Sequence, residues 1–187
     1  MLDIGIVWIR EDFRIENNPA LSYATENHKY VIALYIYNKT DYDNTREAQK
    51  WWLSKSLEIF KKDLALYNIN LQILVGNEID IFSKIKKKDN ISIYWNKIYE
   101  PDVIAKGKKI RDIFQKNQIN FKYFKGNILN EFQDVTKNDG TPFKVFTPFW
   151  RNAEQKYINS PPGKNYKVKK KSSSKVFFKN SVDSKSI

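Results

Sequence analysis

Arg10, Asp12 and Arg14 stand at alternate positions just after an apolar run, in VWIREDFRIENNPAL (residues 7–21). Two guanidinium forks around one carboxylate can hold an anionic or planar aromatic ligand, with the aspartate orienting them. The same three groups can instead close on one another as an ion-pair network that fixes a loop. Asn18 and Pro19 then have the types of a helix N-cap and a first-turn residue. A second group lies around YWNKIYEP (residues 94–101), where Asn96 ends an apolar run and Glu100 and Asp102 flank Pro101. Their charges suit either a ligand or the N-terminal end of a helix dipole.

Other chemistries lack their residues. The chain has 187 residues, no cysteine and a single histidine, His28, which excludes disulfides, thiolate metal sites and multi-histidine metal sites. None of the six glycines follows the first apolar run, so the backbone lacks the turn with which dinucleotide and triphosphate sites cradle phosphate. There is no G-x-S-x-G elbow, and His28 lies in a polar loop without a triad partner nearby in sequence. No catalytic residue is assigned. No apolar stretch approaches the roughly 18 residues of a membrane span, and no signal peptide is legible at the N-terminus, so a cytoplasmic protein with no membrane partner is expected.

The elements that must position these side chains follow from periodicity. Residues 3–9, 30–37, 70–75, 91–96 and 120–124 are short runs rich in β-branched and aromatic residues, and the central ones are almost continuously apolar, as in parallel strands covered on both faces. Between them, Leu53, Leu57, Phe60, Leu64 and Tyr67 lay one stripe along a helix, and Val103, Gly107, Ile110 and Phe114 repeat that spacing. Trp51 and Trp52, adjacent at the start of the first of these helices, cannot both face a core. Strands alternating with helices imply a doubly wound, Rossmann-like α/β fold with a five-stranded parallel sheet. Ligands in such sheets bind beyond the carboxyl ends of the strands, which is where both charged groups fall.

The net charge of +12 is unevenly spread: residues 161–187 carry eight lysines against one aspartate. The expected organisation is an α/β domain over 1–135, an ordered connector over 136–160 containing two Thr-Pro steps, and a flexible lysine-rich linker or tail over 161–187. Such a tail is either a solvated segment or a salt-sensitive DNA-binding one. Composition and spacing alone reach an α/β module that binds a nucleotide-like small molecule or a partner protein.

The residues themselves add a resemblance. VWIREDFRIENNPAL resembles the opening signature of the DNA photolyase and cryptochrome family, a strand running into Arg-x-Asp-x-Arg and then Asn-Pro-Ala-Leu. The segment from Arg46 through Leu64, the order LQILVG, SIYWN and YEP, and VFTPFWR at 145–151 resemble further segments of that family in the same order, together covering residues 4 to about 155.

The resemblance implies an N-terminal α/β domain that holds an antenna pigment, whether reduced folate, deazaflavin or FMN. It also implies a helical FAD-binding domain, or a separate chain in that role, through which the complete enzyme acts on pyrimidine dimers in DNA by light. A cryptochrome-like photoreceptor is the alternative within the family. Too few residues follow Ser160 for that helical domain, so the expectation is a chain cut short and inactive in repair alone. Arg10, Asp12, Arg14, Asn96, Glu100 and Asp102 are the candidate antenna cleft or domain interface. In folate-binding members an acidic residue near the start of the helix after Tyr-Glu contacts the pigment; the aligned position here is Val103, beside Asp102, so a different antenna or none stays open.

Overall fold

The computed structural model describes residues 3–42, 46–86, 90–126, 128, 130, 131, 133–159 and 165–186. Five strands, β1 (Ile4–Ile9), β2 (Tyr30–Tyr37), β3 (Asn70–Val75), β4 (Ile91–Asn96) and β5 (Asn120–Phe124), form one sheet in the order β3-β2-β1-β4-β5. Every pairing is parallel. The helices are α1 (Pro19–Asn27), α2 (Lys39–Tyr42), α3 (Glu47–Ala65), α4 (Glu78–Ser83), α5 (Pro101–Lys116) and α6 (Phe146–Asn159).

Alternation along the strands divides the core in two, because successive side chains leave opposite faces of a sheet. Val7, Ile9, Ala33, Tyr35, Leu71 and Ile73 face α1 and α3, where Leu53, Leu57, Phe60 and Leu64 supply the expected stripe. Ile6, Trp8, Ile32, Leu34, Ile93 and Trp95 face the other way, onto Phe82 of α4 and Ile110 and Phe114 of α5. Tyr67 and Val103 are only half-buried; Val103 lies a turn before the buried part of α5, which begins at Gly107. Asn18 caps α1, accepting from the Leu21 amide at 3.1 Å, with Pro19 in the first turn. Gly5 has no room for a side chain: a Cβ there would lie 2.7 Å from the His28 ring. His28, given no role by its sequence context, bridges Asp3 at 2.5 Å and the Tyr94 hydroxyl at 2.7 Å.

The C-terminal segment departs from expectation. The described residues 165–186 are not a free tail: from Tyr166 on, the segment forms one compact unit with the α/β core, and Lys125–Asn165 form a second unit. The expected boundary at 135 therefore falls inside the second unit. Backbone amides of the segment, together with the Lys171, Phe177, Phe178 and Ser181 side chains, supply the docking. The Lys169 amide donates to Thr25 Oγ1, Lys171 Nζ donates to the Thr25 carbonyl at 2.9 Å, and the amides of Phe177 and Phe178 both donate to Gln72 Oε1. Val182 then bridges Ile73 antiparallel, covering the outer edge of β3, whose polar backbone would otherwise be an open template.

Within the second unit the expected connector is in large part a helix. Pro148 lies in the first turn of α6, where a missing N–H costs nothing, so the Thr-Pro step starts this helix rather than preventing it. Phe143, Phe146, Phe149 and Trp150 line an apolar hollow of about 740 Å³ in this unit.

Candidate functional site

In the order β3-β2-β1-β4-β5 the direction of winding reverses between β1 and β4, and the crevice beyond their carboxyl ends is where such sheets bind ligands. Arg10 leaves the end of β1 there, and Asn96 ends β4 beside it. The Arg10 guanidinium donates to the Asn96 carbonyl and stacks on the Trp8 ring, 4.7 Å from its centroid. Burial pulls its pKa down to about 10 while the charges of Glu11 and Glu78 oppose the fall, so the group stays cationic at neutral pH.

The Asn96 side chain ties the first loop to the sheet. Its Nδ2 donates to Asp12 Oδ2 at 2.8 Å and to Asn18 Oδ1 at 2.9 Å, and its Oδ1 accepts from the Ala20 amide at 3.2 Å. Asp12 also pairs with Arg14, Nε to Oδ1 at 2.9 Å. Burial pushes the Asp12 carboxyl above its ordinary range, against the pull of Arg14 and Asn96. Asn18 Nδ2 completes the network by donating to the Arg14 carbonyl at 3.0 Å.

A cleft of about 410 Å³ opens beside this network, lined by Trp8, Ile9, Arg10, Glu11, Tyr35, Ile36, Asn38, Glu78, Ile98, Glu100, Asp102, Val103 and Lys106. Of the six residues marked out by the sequence, Arg10, Glu100 and Asp102 line it. Asp12, Arg14 and Asn96 stand behind Arg10 as the network that holds its loop. Glu100 occupies the N-cap position of α5 without a capping side-chain hydrogen bond, which leaves its carboxylate at the cleft mouth. A second hollow of about 440 Å³ shares Arg10, Glu11 and Tyr35 with the first and is closed by Phe13, Gln49, Trp52 and Leu53. Both members of the tryptophan pair are exposed, and Trp52 borders this second hollow.

Sequence reasoning passed over the polar floor of the cleft. Glu78 opens α4, accepts from Asn38 Nδ2 at 3.4 Å and pairs with Lys106 of α5 at 3.2 Å. These three come from three elements, so no spacing reveals them; the available signal was that Asn38 directly follows β2 and Glu78 lies shortly beyond β3. Among the described residues no group of three histidine, aspartate or glutamate side chains is arranged to hold a metal ion, and no helix is long and apolar enough to cross a membrane.

A Rossmann-like parallel sheet with a cleft at the winding switch, lined by aromatic, cationic and acidic side chains, defines an α/β domain of the doubly wound class. The DNA photolyase family model matches residues 5–167, and the chain belongs to that family. It is 31% identical over 150 residues to the deoxyribodipyrimidine photo-lyase of Agrobacterium fabrum, an overlap of 80% of this chain and 31% of that protein. It is 28% identical over 152 residues to cryptochrome-1 of Arabidopsis thaliana, covering 78% of this chain and 22% of that one. The chain thus spans about a third or less of the length of these relatives.

Among solved structures, a bacterial class III photolyase from Agrobacterium tumefaciens superposes with a TM-score of 0.83 at 25% identity, over 100% of this chain and 38% of that one. An archaeal photolyase from Sulfolobus tokodaii, described with two FAD molecules that imply a novel light-harvesting cofactor, shares the fold at a TM-score of 0.73 and 22% identity, over 98% of this chain and 40% of that one. The fold matched in these neighbours is that of their N-terminal α/β domains.

Proposed function

We propose that the cleft at the ends of β1 and β4 holds a light-absorbing antenna pigment, and that this domain passes excitation to a flavin in a helical FAD-binding domain or separate chain. In the complete enzyme that flavin repairs pyrimidine dimers in DNA. The observation that carries the reading is Arg10 fixed on Trp8 in the wall of a 410 Å³ cleft, a flat cation and a flat ring at the point where this fold binds ligands. Reduced folate, deazaflavin and FMN are the candidate pigments. Asp12, Arg14 and Asn96 act through the loop they hold, and Glu100 and Asp102 act at the mouth. Within the same reading, a cryptochrome-like photoreceptor uses the identical cleft; the relatives bear both kinds of name.

The test is an absorption and fluorescence titration of the purified chain with each pigment, beside a Val103→Trp variant that fills the cleft from the half-buried start of α5. Saturable one-to-one binding with a shifted band, weakened at least tenfold in the variant, supports the reading. Binding that is absent, or equal in both proteins, rejects it.

A further inference from the structure

The cleft has an ionic composition that discriminates among pigments. Its lining carries four carboxylates, from Glu11, Glu78, Glu100 and Asp102, against two cations, Arg10 and Lys106. Both cations have partners within the protein. Arg10 lies on Trp8 and donates to the Asn96 carbonyl, and Lys106 Nζ lies 3.2 Å and 3.4 Å from the two oxygens of Glu78. The N-terminus of α5 would by itself draw an anion, but Glu100 at its cap and Asp102 in its first turn set negative charge there instead. Glu11, Glu100 and Asp102 are all exposed, so they form an acidic mouth above a deeper apolar wall of Trp8, Ile9, Tyr35 and Ile36.

We infer that this site selects a planar heterocycle carrying an uncharged, hydroxylated side chain and discriminates against phosphorylated or polycarboxylate forms of the same ring. The ring lies against the apolar wall and Arg10. The hydroxyls donate to the mouth carboxylates, which a phosphate at neutral pH cannot do, having acceptors but few donors. A dianion placed at the mouth meets like charges whose repulsion is screened only over about 10 Å at 0.1 M salt. This rests on the antenna reading and narrows its candidates: FMN and glutamate-bearing folates are disfavoured, and a ring with a free polyol is favoured.

Riboflavin and FMN test the inference, since they share one chromophore and differ by one phosphate. Their dissociation constants are measured by flavin fluorescence on the intact chain at low and at 0.5 M salt, and again on the Glu100→Gln, Asp102→Asn double variant, with circular dichroism confirming its fold. Riboflavin is expected to bind about tenfold more tightly at low salt, a difference of about 1.4 kcal/mol. The gap should narrow at high salt and in the double variant through a gain in FMN affinity. FMN binding as tightly as riboflavin, or a gap indifferent to both salt and the double variant, overturns the inference while leaving the antenna reading standing. Failure of both flavins and of reduced folate to bind overturns both.

Discussion

The substitution Asn96→Asp exchanges an amide for a carboxylate of the same shape at the residue that joins β4 to the first loop. The acceptor facing the Ala20 amide is kept. The donor is lost, so the new oxygen faces Asp12 Oδ2 and Asn18 Oδ1 across the present 2.8 Å and 2.9 Å separations. One lost bond went to a charged acceptor and one to a neutral one, together about 2–4 kcal/mol, and the two carboxylates add repulsion in a half-buried setting. A loss of about 3 kcal/mol or more in unfolding free energy is expected at pH 7, read by urea denaturation followed by circular dichroism, with an unchanged denaturant slope.

The pH dependence separates the electrostatic part. The folded carboxylate pair takes up a proton more readily than the unfolded chain, so between about pH 4 and the pair's upper titration the folded state binds more protons and stability rises on acidification. The deficit should shrink between pH 7 and pH 5. Asn96→Ala, which adds no charge, should lack that additional recovery. An Asn96→Asp deficit below 1 kcal/mol at pH 7, or one identical at both pH values, would refute the assignment of Asn96 as the hub of the loop.

Three further outcomes follow from particular contacts. Gly5→Ala should lose about 1–3 kcal/mol by overpacking against the His28 ring, and less in a His28→Ala background, as a double-mutant cycle on thermal or urea unfolding would read. Partial burial pushes the Asp3 carboxyl up, but hydrogen bonds from His28 and the Lys29 amide, with the nearby charges of His28 and Lys171, outweigh it and leave Asp3 below its usual range. Its contribution is therefore present above about pH 4 and lost as pH falls through the lowered folded value, so Asp3→Asn should flatten the acid limb of the stability profile. Val182→Pro removes the amide that donates to the Ile73 carbonyl at 2.9 Å and should open the β3 edge, pulling the neighbouring Ser181 Oγ from the Ile73 amide it accepts from at 2.9 Å; at least tenfold faster amide exchange at Ile73 and concentration-dependent association on size exclusion are the expected readouts.

The sheet was legible because its signal is local. Runs such as YVIALYIY are buried almost throughout, and the Leu53 to Leu64 stripe lies on the core as its spacing requires. Arg10, Glu100 and Asp102 were legible as cleft candidates because strand ends in a doubly wound sheet converge on one edge. What escaped is long-range. Glu78 and Lys106 meet across 28 residues, and Asn38 joins them from another loop. The C-terminal segment reads as solvated because of its lysines, yet it docks through backbone amides, Ser181 and Phe177 and Phe178, and one lysine, Lys171, places its ammonium on helix carbonyls. Its apolar and polar docking groups follow no helix or strand period. The distinction between Arg10 at the cleft and Asp12 and Arg14 behind it depends on where Asn96 sits, which no single segment encodes.

The most direct measurement is a proton–nitrogen correlation spectrum of the labelled chain, recorded without and with the pigment that binds it best. Binding at the proposed site shifts the amides of Arg10, Glu11, Ile36 and Val103, together with the indole of Trp8, and leaves those around Thr25 and Lys169 on α1 and the C-terminal segment unmoved. Shifts confined to residues outside the cleft, or no shifts at saturating pigment, would contradict an antenna site at the switch between β1 and β4.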